Sequence, residues 1–363
     1  MKYHLANLNE LNDSQFIEAI KNIPKDKTSL DLRGNGLGNK PSLELVQAFS
    51  VLPTSVTSLN LCGNFLGNKN GVELAQVFAA LPLSLISLNL YYNFLGYKVV
   101  TELVQTFSAL PASVNSLNLR NNALFKKSGV ELAQVFAALP ASVTSLNLRD
   151  NDFGNTSGVE LAQAFAALVN VSSLNLSTNQ LYNKSGTELA QIFTALPKSV
   201  TSLNLEYNFL GNKKGAELAQ AFTAIPSSVT SLNLCSNSLQ RLSVEEINNF
   251  KNSLSMVQTI YLSEKDLKEM TEVQRAALKA VFPKIQNIII LDYKGNALGG
   301  NDIQARHYFA SKFGLTNEPP TLKSSAAFFV KHNMELHKNI EKFPEELRNF
   351  TNQFDFQTES LGF

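Results

Sequence analysis

The chain has few of the residues from which catalytic and metal sites are usually built. Its 363 residues include two cysteines and four histidines. Cys62 and Cys235 hold the same position in two copies of a repeated segment, six copies apart. At about 4.8 Å per strand they stand far beyond disulfide reach, which points to a reducing compartment. Neither has a His nearby in sequence, and a lone Cys is usually inert. His332 and His337 are five residues apart and so face different sides of a helix, and the text between them is not H-E-x-x-H. No metal or cofactor site is expected there. Gly295, Gly299 and Gly300 lack the Lys-Ser/Thr of a phosphate loop and read as a turn. Net charge is missing too, since 31 Lys and Arg face 30 Asp and Glu. That balance leaves no general footprint for nucleic acid or an anionic membrane. No stretch approaches the roughly 18 apolar residues of a membrane span, and residues 1–13 lack the apolar core of a secretory signal.

What fills the chain is repetition. From Ser142 it reads Ser-Val-Thr-Ser-Leu-Asn-Leu-Arg-Asp-Asn-Asp-Phe-Gly, then a polar link, then Ser-Gly-Val-Glu-Leu-Ala-Gln-Ala-Phe-Ala-Ala-Leu, ending at Leu168. Leu146 and Leu148 share one face of an extended segment. Leu161, Phe165 and Leu168 fall at i, i+4 and i+7, the spacing of a half-buried helix. One strand and one helix of this size cannot bury their apolar faces alone, so the unit needs copies of itself on either side. The copies are counted by the Asn after the two leucines: Asn35, Asn64, Asn93, Asn122, Asn151, Asn179, Asn208 and Asn237, at steps of 29 with one of 28. Degenerate copies beginning at Ile260 and Leu291 bring the total to about ten. In the first of these, Lys265 stands where the Asn is expected. An Asn at a turn inside a stack supplies a donor and an acceptor to backbone groups that would otherwise be orphaned, so the eight are assigned to structure.

The pattern L-x-L-x-x-N-x-L on this period resembles the leucine-rich-repeat family, and a full helix per unit is similar to its ribonuclease-inhibitor-like class. The resemblance covers roughly residues 28–300. It implies an α/β solenoid, a horseshoe with parallel strands on the concave face, helices on the convex face and helical caps at both ends. Helices pack about 8–10 Å apart and strands under 5 Å, which gives the same curvature by a separate route. The implied division is an N-terminal cap over 1–27, repeats over 28–300, and a C-terminal helical cap or tail over 301–363.

In the first segment Phe16, Ile17, Ile20 and Ile23 form a helical stripe behind Asp13. Three repeat helices open with capping boxes, Ser128 with Glu131, Ser157 with Glu160, and Ser185 with Glu188. Residues 245–250 and 267–278 read as further helices. Beyond Asp302 the period is lost. Phe329, Leu336, Ile340 and Phe343 then share one helical face, and Pro344 starts another helix.

Along each strand the positions six and four before the Asn are almost uniformly Ser and Asn, which suits backbone satisfaction and solubility. Variation sits in the two positions just before it, which bring together Tyr91, Tyr92, Arg120, Arg149, Asp150, Glu206 and Tyr207. Tyr and Arg dominate interface energetics, so these seven are the expected partner-binding residues. The bland alternative is that Asp150 and Glu206 merely neutralise the arginines on a solvated wall. Repeat copies this alike also resemble the leucine-rich-repeat effectors of intracellular bacterial pathogens. That resemblance implies synthesis in a bacterial cytoplasm and delivery to a host cytosol without a cleavable signal. It also implies a non-catalytic scaffold binding a host protein, with no nucleic acid partner. Glu345, Glu346, Leu361 and Phe363 resemble acidic and hydrophobic C-terminal signals of type IV secretion. Some relatives carry a ubiquitin ligase with a catalytic Cys after the repeats; no Cys follows 235 here. An adaptor for a host ligase is the alternative, and an enzyme would need His307, His332 and His337 to converge.

Overall fold

The computed structural model describes residues 2–316. The stripe from Phe329 to Phe343, the helix start at Pro344, the pair His332 and His337 and the C-terminal signal residues lie outside them. The fold is a leucine-rich-repeat solenoid of eleven parallel strands in sequence order. Contacts divide it into two compact units, one comprising the residues up to 208 with Gln220–Val229, the other Phe209–Ala219 with the residues from 230 on.

In the first unit the strands are β1 (Lys2–His4), β2 (Ser29–Asp31), β3 (Ser58–Asn60), β4 (Ser87–Asn89), β5 (Ser116–Asn118), β6 (Ser145–Asn147), β7 (Ser173–Asn175) and β8 (Ser202–Asn204). Equivalent residues pair, Leu59 with Leu88 and Leu117 with Leu146. The shortened copy is absorbed without slippage, because Leu146 still meets Leu174. A one-residue slip would turn every leucine toward solvent, so burial enforces the register. After each of β2 to β8 the chain makes a short 3₁₀ turn and enters a helix, of which α4 (Val100–Ser108) and α5 (Gly129–Ala137) are typical. Phe107, Phe136, Phe165 and Phe193 are at most 3% exposed and close the core against Leu88, Leu117, Leu146 and Leu174. Each such ring contributes roughly 2–3 kcal/mol of burial. The three capping boxes expected at Ser128, Ser157 and Ser185 are present, and Asn70 with Glu73 adds a fourth in this unit's repeats.

The N-terminal segment holds more than the expected helix. Helix α1 (Asp13–Lys21) buries Phe16 and Ile20 and is capped by Asn12, and strand β1 pairs ahead of β2. Lys2, Tyr3 and His4 carry no apolar alternation, so the strand had no sequence signature. It is drawn in by the partner side: buried Asp31 accepts from Lys2, Arg33 and Asn60. Burial pushes the Asp31 carboxyl up, but the hydrogen bonds from Arg33 and Lys2 prevail and hold it well below the usual range.

In the second unit β9 (Ser231–Asn233), β10 (Thr259–Ser263) and β11 (Asn287–Leu291) pair in order. Three expectations are corrected here. Ile260 pairs with Ile288, so the last copy starts at Ile288 and not Leu291. The stretch 267–278 is not one helix but α10 (Glu264–Glu269) and α11 (Glu272–Ala280), because Thr271 caps α11 with Gln274. Lys265 does not replace the repeat Asn. Asp266 does, receiving the backbone amides of Asn237 and Ser238. Helix α10 begins directly after β10, which shifts the ladder position by one residue.

Asp266 gives a pH signature. Burial is the main cause that pushes its carboxyl up to about 6, against the pull of the Asn237 amide. Its Oδ2 has no partner among the described residues. The native state therefore keeps this proton to a higher pH than the unfolded chain, and stability falls as pH rises through about 6. The loss between pH 4 and pH 7 is on the order of 2–3 kcal/mol. Asp266→Asn is expected to raise the urea midpoint at pH 7 and to flatten that pH dependence, as measured by denaturation at both values.

Candidate functional site

The site is shaped by how each coil closes. Asn122 is fully buried. Its Oδ1 accepts from the amides of Asn93 and Leu95 at 3.1 and 3.3 Å, and its Nδ2 donates to the carbonyls of Leu90 and Arg120 at 2.9 and 3.1 Å. The same ladder links Asn35 to Asn64, Asn64 to Asn93 and Asn151 to Asn179. The Asn column four residues earlier is the second brace. Asn89, Asn118, Asn147 and Asn204 accept from the amides two residues on, those of Tyr91, Arg120, Arg149 and Glu206, at 2.8–2.9 Å. The residue just before the ladder Asn takes a left-handed backbone, at φ 57° for Tyr92, 60° for Asp150 and 54° for Tyr207. Uniform side chains hold the backbone, and the two variable side chains are pointed by it.

The strand face of the first unit is concave. A depression of about 530 Å³ runs along it, lined by the Ser and Asn columns from Ser58 and Asn60 through Ser145 and Asn147. The seven expected residues edge this face, and the structure joins them in two groups. In one, Arg120 lies 4.8 Å over the ring of Tyr91, Tyr91 lies 6.0 Å from Tyr92, and Arg120 stands 3.7 Å from Asp150. In the other, Arg149 lies 5.9 Å from the ring of Tyr207 and 3.9 Å from Glu206. Arg149 reaches across an intervening coil whose residue at this position is the small Ser177. The carboxylates do face the arginines, yet at distances beyond a hydrogen bond. The Nε atoms of Arg120 and Arg149 are buried without a partner among the described residues. The guanidinium groups are therefore held on aromatic faces with hydrogen-bonding capacity left unused.

Two columns escaped the sequence reading. Lys40, Lys69, Lys98, Lys127 and Lys184, each five residues after a ladder Asn, are 5–9% exposed. The Lys69 ammonium donates to the carbonyl of Lys40 and that of Lys98 to the carbonyl of Lys69, so each reaches back one coil. Burial pushes the Lys69 and Lys184 ammonium groups down from the ordinary lysine range. The signal was the same 29-residue recurrence that revealed the Asn column. The second column is the residue just after the ladder Asn, also left-handed, which is Phe65, Phe94 and Phe209 in three coils and Ala123, Asp152 and Gln180 in others.

Catalytic features are sparse. Cys62 and Cys235 form no disulfide among the described residues, and burial pushes the Cys62 thiol up, away from a reactive thiolate. His307, on α12 (Ile303–Lys312), lines a cavity of about 360 Å³ in the second unit with Lys279, Gln286 and Arg306. No described helix is long and apolar enough to cross a membrane.

Comparison with solved structures finds a leucine-rich repeat-containing protein, LegL7 from Legionella pneumophila. It is 45% identical, with a TM-score of 0.78, over 88% of this chain and 99% of that one. The complex of Rad7 and Elc1 in yeast aligns with a TM-score of 0.43 at 15% identity over 76% of this chain and 73% of that one, which carries no argument. No protein-family model matches the chain, and neither does any curated protein.

Proposed function

This chain belongs to the leucine-rich-repeat family, and from that premise we propose that it is a non-catalytic protein-interaction scaffold whose partner sits on the strand face of the first unit. The observation that carries this is the pair of arginines laid on tyrosine rings with unsatisfied Nε groups, set at the edge of an otherwise uniform Ser and Asn concavity. Aromatic and Arg side chains supply most interface energy because they bury large area while keeping polar ends. The depression itself cannot select a partner, since its lining repeats coil after coil. Selectivity falls to Tyr91, Tyr92, Arg120, Arg149, Asp150, Glu206 and Tyr207.

The partner is a protein of a host cell, and the chain is an effector delivered into that cell's cytosol. Kinship with a Legionella pneumophila protein supports a bacterial source for this reading. The division into a cap over 1–27, repeats over 28–300 and a tail over 301–363 belongs to it as well. Deleting 344–363 should abolish delivery in a translocation assay; intact delivery removes the secretion part and leaves the binding part.

Tyr91→Ala combined with Arg120→Ala should weaken binding of a partner captured from host lysate by about 100-fold. Neither side chain is in the core, so the thermal midpoint of the free protein should stay within about 2 °C. Unchanged affinity in the double variant would move the site off the strand face.

A further inference from the structure

Four aromatic rings of one coil run in unbroken contact from the strand end out to the loop edge, and a fifth joins them from the preceding coil. Tyr91 meets Tyr92 at 6.0 Å, Tyr92 meets Phe94 at 4.8 Å, and Phe94 meets Tyr97 at 6.4 Å. Phe94 also stacks on Phe65 of the preceding coil, 6.0 Å away and within 7° of parallel. Phe65, Tyr92 and Tyr97 are 42%, 42% and 66% exposed. They are not core, and they are contiguous.

The ridge stands on the left-handed turns that the repeat coils share. Phe65, Tyr92 and Phe94 sit at φ 56°, 57° and 59°, a conformation that bulky side chains seldom take. Other coils place Gly34 and Gly36, Asn121 and Ala123, or Tyr207 and Phe209 at the corresponding points. What distinguishes this coil is the contiguity of its exposed rings, since the turns themselves recur in the other repeat coils. Charge gives the second observation. Residues 61–72, 90–101 and 119–130, the loops that carry and flank the ridge, contain no Asp or Glu. Two cations lie against its rings, Arg120 over Tyr91 at 4.8 Å and Lys126 over Tyr97 at 5.7 Å. No carboxylate among the described residues stands within ion-pair distance of exposed Lys126. Among the described residues the one carboxylate within ion-pair distance of Arg120 is Asp150, at 3.7 Å, which an incoming acid can improve upon.

We propose that the ridge, which shares Tyr91, Tyr92 and Arg120 with the strand-face site, extends docking onto the loops, for a protein segment in which aliphatic or aromatic side chains are flanked by Asp or Glu. The rings take the apolar groups, and Lys126 and Arg120 take the carboxylates. This rests on the reading of the chain as a protein-interaction scaffold and carries it from the strand face onto the loops. A lipid surface fits less well, because electrostatic membrane binding draws on clusters of several free cations, and the ridge has two, both laid on rings.

The test pans a phage-displayed library of random dodecapeptides on the full chain and measures the enriched peptides by fluorescence polarisation. Three proteins are compared: wild type, Tyr97→Ser with Lys126→Glu, and Arg149→Ala with Tyr207→Ala. Enriched peptides should carry Asp or Glu beside apolar residues. Their affinity should fall about tenfold or more in the first variant and by less than about twofold in the second, with thermal midpoints unchanged in both. Peptides without carboxylates, or no enrichment, overturn the proposal. Sensitivity confined to the Arg149 and Tyr207 variant overturns it while leaving the scaffold reading standing. Sedimentation with vesicles one-third phosphatidylserine that is lost in the Tyr97 and Lys126 variant overturns it in favour of a membrane surface.

Discussion

Asn122→Ala is expected to lower the free energy of unfolding by about 3–5 kcal/mol. One side chain serves four backbone groups on two coils: the amides of Asn93 and Leu95 and the carbonyls of Leu90 and Arg120. Ala leaves the two amides without an acceptor in a space that admits no solvent, since Asn122 is fully buried, while the carbonyls of Leu90 and Arg120 keep the Asn93 Nδ2 and the Tyr92 amide. Each orphaned group costs about 1–3 kcal/mol before relaxation, and relaxation is limited because the same coil is pinned by Asn151 on its other side. Asn118→Ala is the control. Asn118 accepts one bond, from the Arg120 amide at 2.9 Å on a half-exposed face, and its loss should cost under about 1 kcal/mol. Urea denaturation of the two variants side by side measures the difference.

The second large effect is steric. A Cβ on Gly96 would lie 2.1 Å from the Ala123 carbonyl oxygen, 2.5 Å from its carbon and 2.7 Å from the Asn122 oxygen. All three are backbone atoms of the next coil, so no side chain can swing away. Gly96→Ala must therefore push two coils apart and weaken the 2.8 Å bond from the Gly96 amide to Asn122. A loss of about 2–4 kcal/mol is expected from overpacking together with the strained bond. The protein shows the direction of this response itself. Where Phe125 and Tyr182 occupy the equivalent position, the matching bonds lengthen to 3.2 and 3.1 Å, against 2.7–2.9 Å at Gly38, Gly67, Gly96 and Gly154. Phe125→Gly should accordingly change stability by less than about 1 kcal/mol.

These two cases show what kind of information the sequence carried. The period, the leucine face, the helix stripe and the satisfying role of the Asn column were readable because each recurs at every coil, and only stacking makes such recurrence useful. Where one element decided the outcome, recurrence was no guide. Strand β1 forms because Asp31 gathers Lys2 and Arg33 around itself, a contact no alternation in residues 2–4 announces. Asp266 is different, since it keeps the 29-residue step from Asn237; it was passed over for Lys265 because counting five residues on from Ile260 assumes a loop where α10 begins at once. The lysine column was as periodic as the asparagines, but a lysine suggests solvent, and its burial depends on a carbonyl one coil back. At the candidate site, Tyr91, Tyr92, Arg120 and Arg149 could be singled out as variation within uniform columns. That Phe65 and Phe94 complete a ridge with them needed the left-handed turns, which set ring direction and leave no trace in hydropathy.

The account separates side chains that hold the stack from those the stack presents. A single-residue scan of one coil, residues 90–97, read by the urea midpoint, tests that separation most directly. Replacing Leu90, Asn93 or Leu95 by Ala, or Gly96 by Ala, should each lower the midpoint strongly. Tyr91→Ala and Tyr97→Ala should leave it nearly unchanged, and Tyr92→Gly should raise it by relieving the φ of 57°. A scan in which the tyrosines cost as much as Leu90 and Asn93 would show that the exposed rings are part of what holds the coils together, and would contradict the account.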